Sequence, residues 1–194
     1  MANRVKYGLS NVYYAKATIS TSGTASYSTP VAIPGAVNLG LDPVGDMEDF
    51  YADNVSYYVI NNNSGYEGDL EIALVPDSFR KDILGDVEDS NKVLVEVADA
   101  QAEHFALLFQ FEGDDKAVRH VMYNCTAKRP SVSGATREDS TDVQTEKLSL
   151  KCKSIYNASL HKNISKAKCF NGGDSATTYA GWNTSVYQPT IAST

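Results

Sequence analysis

Apolar residues fall at every second position along several stretches of the chain, and that spacing predicts strands with one face in a core. The cleanest case is Leu148, Leu150 and Cys152, set between Lys147, Ser149, Lys151 and Lys153. It puts Cys152 inside as a small apolar residue and the lysines outside. Leu70, Ile72 and Leu74 alternate with Asp69, Glu71 and Ala73 in the same way, predicting a half-buried strand over residues 68–75. Residues 5–19 mix Val, Tyr, Leu and Ile with polar neighbours and read as a first strand. Residues 105–111, FALLFQF, are apolar enough for a core strand, and Gly113-Asp114-Asp115 turns it into AVRHVMYNCT at 117–126, a hairpin.

Only one stretch has helical spacing. After Pro76, which suits a first helical turn, Phe79, Ile83 and Leu84 recur three to four residues apart, and Gly85 suits the end. A helix over 77–84, packed on a sheet, is expected. The Ser/Thr/Gly run 21–29 reads as a loop or hairpin tip. Pro30 and Pro34 around short apolar runs indicate an edge strand followed by a turn. Residues 131–142 are polar, and 155–194 are rich in Ser, Thr, Asn and Gly, with Trp182 and Tyr187 as the only strong anchors.

The most unusual segment is 42–66, DPVGDMEDFYADNVSYYVINNNSGY. An acidic start leads into Phe50, Tyr51, Tyr57 and Tyr58 and closes on a run of asparagines. It reads as a long hairpin arm, too aromatic to be wholly solvated and therefore in need of a partner.

Composition adds less. The 194 residues fit one domain, 1–194, with no internal repeat, and are enough to bury a core without staples. Twelve tyrosines against six phenylalanines suit half-buried strand faces or interfaces. Three cysteines without close spacing predict free thiols in a reducing cytoplasm. No apolar run is long enough for a signal peptide or a membrane span. The net charge of -7 is split: residues 1–120 hold 19 acids and 8 bases (-11), and residues 121–194 hold 5 acids and 9 bases (+4). Such an acidic chain is poorly suited to gripping phosphate backbones. A split of this kind is usually a solvated face, and it also suits contacts between oppositely charged surfaces of successive copies.

Motifs for chemistry are lacking. There is no nucleophile elbow, no H-E-x-x-H, no glycine-rich phosphate loop and no close cysteine or histidine pair for zinc. The carboxylates Asp42, Asp46, Glu48, Asp49 and Asp53 lack the order of a calcium loop. They read as an acidic arm facing solvent or an interface. Asp86, Glu88 and Asp89 read as an exposed acidic turn. Lys128, Arg129, Lys147, Lys151 and Lys153 form a candidate basic face toward a neighbouring copy, or a plain solvated strand face. No catalytic residue, metal ligand or cofactor is expected, and the chain is not expected to be an enzyme.

Several stretches together resemble one family. They are KYGLSNVYYA at 6–15, TPVAIPGAVNLGLDPVGD at 29–46, FYADNVSYY at 50–58 and NSGYEGDLEIALVPDSFRKDILG at 63–85. FALLFQFEGDDKAVRHVMYNCTAKRPSVSG at 105–134 and TEKLSL at 145–150 follow in order. They look like the major tail proteins of long, non-contractile phage tails, especially in phages and prophages of Gram-positive bacteria. The resemblance covers roughly residues 1–150, and YNASLHKNISKAKCF departs from it. It implies a mainly β (α+β) tail-tube fold, a β-sandwich or barrel with one flanking helix and a long arm reaching the adjacent ring. Six copies would form each ring, and rings would stack along a tape-measure protein between tail-terminator and distal tail proteins, with viral DNA passing through the lumen. The place of such a protein is the virion tail, after synthesis in the host cytoplasm, and no membrane is involved. Two other classes remain: the ring protein of a contractile injection or secretion machine, which shares the fold, and a β-sandwich binding module, which predicts a monomer with a ligand pocket.

Overall fold

The computed structural model describes residues 3–45, 47–61, 63–136 and 143–191. In chain order its strands are β1 (Lys6–Ile19), β2 (Ala25–Tyr27), β3 (Val31–Ala32), β4 (Ala36–Val44), β5 (Met47–Ala52), β6 (Val55–Asn61) and β7 (Gly65–Ile72). A helical segment, α1, follows, an α turn Asp77–Phe79 running into a wider π turn Arg80–Leu84. Then come β8 (Val87–Glu88), β9 (Leu94–Val95), β10 (Phe105–Gly113), β11 (Val118–Ala127), β12 (Glu146–Lys153), β13 (Ile155–Asn157), β14 (Lys162–Ile164) and β15 (Lys166–Phe170). A short helix, α2 (Ala176–Gly181), comes last.

Nine strands form one antiparallel sheet in the order β2-β1-β10-β11-β12-β7-β4, with β3 beside β1 and β15 beside β11. The protein is mainly β, with two short helical segments. β11 forks. Its first half pairs with β15, from Val118 opposite Phe170 to Met122 opposite Lys166, and its second half pairs with β12, from Asn124 opposite Lys153 to Ala127 opposite Leu150. The sheet curls, so that β1 and β4, far apart in strand order, come into contact.

Curling encloses a first core, and the outer face carries a second. β10 supplies both, which is why its sequence is apolar without alternation. Phe105, Leu107 and Phe109 point to the first core, with Ile72, Leu148 and Cys152. Ala106 and Leu108 point to the second, where Tyr123, Tyr179 and Trp182 pack. β12 alternates from buried to exposed throughout and places Cys152 inside, as its sequence period predicts.

α1 closes the first core. Phe79 meets Tyr14 and Phe105 edge-on at 5.0 and 5.4 Å. Tyr14 donates a hydrogen bond of 2.8 Å to Asp82, and burial pushes its hydroxyl up to about 12. Glu146 at the head of β12 accepts from the Val75 amide at 2.6 Å and pairs with Arg80 at 3.2 Å, tying the helix to the sheet. Gly85 ends the segment with φ 83°, the left-handed conformation in which a side chain is strained.

Three expectations change. The strand expected over 68–75 runs from Gly65 to Ile72, and Leu74 is 68 % exposed, because the Ala73 amide leaves the ladder for the Gly35 carbonyl. β4 continues through Pro43 to Val44, which is possible because it pairs only with β7 and its other edge needs no amide there. The acidic turn at 86–89 becomes a small β8–β9 hairpin in which Asp86 is buried and Glu88 pairs with Lys81 at 2.9 Å and Lys92 at 2.7 Å. The C-terminal stretch, unassigned in the sequence reading, supplies β13–β15 and α2. Trp182 is 2 % exposed, stacks on Tyr187 at 5.4 Å, and donates from Nε1 to the His120 carbonyl at 3.3 Å.

Candidate assembly site

β5 and β6 form a two-stranded ribbon of their own, with Glu48 opposite Ile60, Phe50 opposite Tyr58 and Tyr51 opposite Ser56. The strands meet in a two-residue turn at Asp53-Asn54, where both residues have positive φ (53° and 60°), the conformation that lets a tight hairpin keep the strands' own twist. The chain re-enters the main sheet at Gly65, the first residue of β7.

Phe50, Tyr51, Tyr57 and Tyr58 are 57–72 % exposed, and Val55 and Val59 are exposed with them. Phe50 and Tyr58 share one face, and Tyr51 and Tyr57 lie on the other by strand alternation. An isolated two-stranded ribbon is marginally stable in water, and this one offers apolar groups to solvent on both faces. The arm is also acidic: residues 47–61 contain Glu48, Asp49 and Asp53 and no Lys or Arg. Asp49 accepts a 2.7 Å hydrogen bond from Ser56. Asp42 is in β4, opposite Glu67 in the main sheet, so the ribbon proper is shorter than the 42–66 expected. Asp46 lies outside the described residues.

The five candidate basic residues do not form a face of one sign. Lys147 and Lys151 are exposed on β12 and stand opposite Glu71 and Glu67 of β7. Lys151 pairs with Glu67, which holds that carboxyl below its usual range. Arg129 pairs with Glu96 at 3.2 Å. Lys128 is exposed beside this ladder, and Lys153 is exposed opposite Asn124.

A basic patch that the sequence did not single out lies where β11 forks. Lys6 of β1 and Lys166 and Lys168 of β15 converge on His120, each over an aromatic ring: Phe111 at 4.9 Å, Tyr66 at 4.6 Å and Phe170 at 5.2 Å. No carboxylate among the described residues is within ion-pair distance of these lysines. His120 stacks flat on Phe109, 5.1 Å away with 7° between the planes. Burial first, then the charges of Lys166, Lys168 and Lys6, hold its imidazole down to about 4, so it is neutral at pH 7. Two open cavities meet here, of about 430 and 180 Å³. The signal for this patch was the alternation in KAKCF at 166–170, visible in the sequence but without a partner strand to give it a place.

Among the described residues, no group of three or more His, Cys, Asp or Glu is arranged to hold a metal ion, and no helix is long and apolar enough to cross a membrane. Neither a protein-family model, nor a curated protein, nor a solved structure matches the chain.

Proposed function

We propose that this chain is a structural subunit, the major tail protein whose stacked hexameric rings form the tube of a long, non-contractile phage tail. The observation that carries this reading is the ribbon 47–61. Its aromatic side chains are exposed on both faces, and a lone two-stranded ribbon gains little by holding them in water. Burial against another copy removes that cost and gives the ribbon a role between rings. The sequence resemblance over residues 1–150 supports the same assignment, as does the split of charge between the acidic first part and the basic last part. A ring closes when each copy offers two different complementary patches. An acidic lumen lets DNA pass without sticking, because like charges repel.

The partners in this reading are other copies of the chain, the tape-measure, terminator and distal tail proteins, and DNA in transit, all in the virion tail. Purified protein is expected to form rings or tubes at high concentration in negative-stain micrographs. Deletion of residues 46–62 is expected to leave a folded domain that makes no long tubes. A chain that stays monomeric at every concentration and salt, and is absent from purified tails by mass analysis, would overturn the reading.

A further inference from the structure

We infer that the basic mouth around His120 is the receptor for the acidic ribbon of a second copy of this chain. The inference rests on the tube reading and names the surface that takes the arm. The two parts are opposite in charge and alike in their rings. The mouth brings Lys6, Lys166 and Lys168 together without an ion-pair partner among the described residues, over walls made by Phe111, Tyr66 and Phe170. Glu112 also borders it, its Oε1 accepting from Gln110 at 2.6 Å and Ser10 at 3.3 Å, and it forms no ion pair with the three lysines. The ribbon carries three acids, no base and four exposed aromatic side chains. At about 430 Å³ the larger cavity falls in the range of built binding sites, roughly 300–1,000 Å³.

Ammonium groups over ring faces are attracted to those rings, yet each keeps hydrogen-bonding capacity that a carboxylate satisfies better than water in a desolvated site. An aromatic acidic ribbon supplies both halves: rings that extend the apolar wall, and carboxylates that meet the lysines. The chain's own ribbon does not fill the mouth. It leaves the sheet next to Tyr66, one wall of the mouth, and keeps its rings exposed. The occupant is therefore a neighbour. Each copy has one ribbon and one mouth, so the contact is heterologous and repeats from copy to copy, as a closed ring or a stacked array requires.

Two charge-reversal variants of the full-length protein test this. Lys166→Glu with Lys168→Glu alters the mouth, and Glu48→Lys with Asp49→Lys alters the ribbon. Both lysines are exposed, and circular dichroism and thermal melting are expected to match wild type. Each variant alone is expected to raise the concentration needed for assembly at least about tenfold, because like charges now face each other. Mixed together, the two variants are expected to recover assembly, because the intact ribbon of one meets the intact mouth of the other and the reversed ribbon is again opposite in charge to the reversed mouth. Wild-type assembly that survives Lys166→Glu with Lys168→Glu overturns this inference and leaves the tube reading standing. A ribbon that cross-links from Tyr57 only to its own chain's mouth also overturns it. Wild-type chains that never assemble overturn both.

Discussion

The sulfurs of Cys125 and Cys152 lie 2.7 Å apart in the first core, where β11 and β12 place the two residues directly opposite each other. Both are free thiols and fully buried. Burial first, then contact with Cys152, pushes the Cys125 thiol well above its usual range. The reactive form of cysteine is the thiolate, so closeness here does not mean reactivity. Native protein at pH 7.5 is expected to react with a thiol reagent far more slowly than unfolded protein. With diamide added during slow unfolding and refolding, the two thiols are expected to give two hydrogens to the oxidant and form a cross-strand disulfide, which needs a small closing movement. Peptide mapping reads the link. Fast labelling of Cys125 in the native state, or a link that joins Cys169 instead, counts against this account.

The pH dependence of stability follows from His120. Its folded value of about 4 is below the ordinary 6.5, so between those values the unfolded chain takes up a proton that the native one refuses. Stability is therefore complete above about pH 6.5 and falls as pH drops toward 4. Carboxylates also titrate near the lower end, so the test is comparative. Denaturant midpoints at pH 7 and 4.5 are expected to differ less for His120→Gln than for wild type. Neutralising the mouth by Lys166→Gln and Lys168→Gln removes two of the named charges and is expected to raise the His120 value in an NMR titration. Parallel pH profiles for wild type and His120→Gln would remove the histidine from the explanation.

How much of this was legible depended on whether the cause was local. β12 was readable because one-sided burial imposes a period of two on its residues, and α1 because Phe79, Ile83 and Leu84 share a helical face. Leu74 continued a strand pattern that the backbone abandons, and the reason is distant: Gly35 takes the Ala73 amide and Glu146 takes that of Val75. The prolines marked an edge strand but not its length, and β4 runs on through Pro43 to Val44 because its outer edge needs no amide there. The aromatic arm was readable as a hairpin in need of a partner, but its bounds were too wide, since nothing local shows that Asp42 belongs to β4 or that the ribbon turns at Asp53-Asn54. The mouth left one local trace, the alternation in KAKCF at 166–170, and nothing that gave it a place. Lys6 comes from one end of the chain and Lys166 and Lys168 from the other, and only the fork in β11 brings them together.

The second core depends on the chain's single tryptophan. Trp182 fills the space over Tyr123 and Val121, stacks on Tyr187 and bonds the His120 carbonyl. Trp182→Ala removes a nearly fully buried ring and is expected to cost about 3–5 kcal/mol, close to the whole stability of a modest domain. Trp182→Phe keeps most of the volume and is expected to cost much less. Because there is one tryptophan, its fluorescence reports on this core directly: blue-shifted emission in the native state, red-shifted on denaturation. A wild-type native spectrum already red-shifted would place the C-terminal segment off the sheet.

The root and the rings of the arm answer to different demands, and substitutions separate them. Gly65 joins the arm to β7 with φ 114°, and a Cβ there would overlap the Cys152 carbonyl on β12. Gly65→Ala therefore strains the backbone and pushes two paired strands apart, with an expected cost of about 1–3 kcal/mol in chemical denaturation. Tyr57 and Tyr58 are 72 % and 64 % exposed, so Tyr57→Ser with Tyr58→Ser removes little that holds the monomer together. That pair is expected to shift stability by no more than about 0.5 kcal/mol per site and to prevent long tubes. The contrast identifies what the rings are for. If the double serine variant melted several degrees lower, the tyrosines would belong to the fold, and if it built tubes as wild type does, the ribbon would not be the part that joins copies.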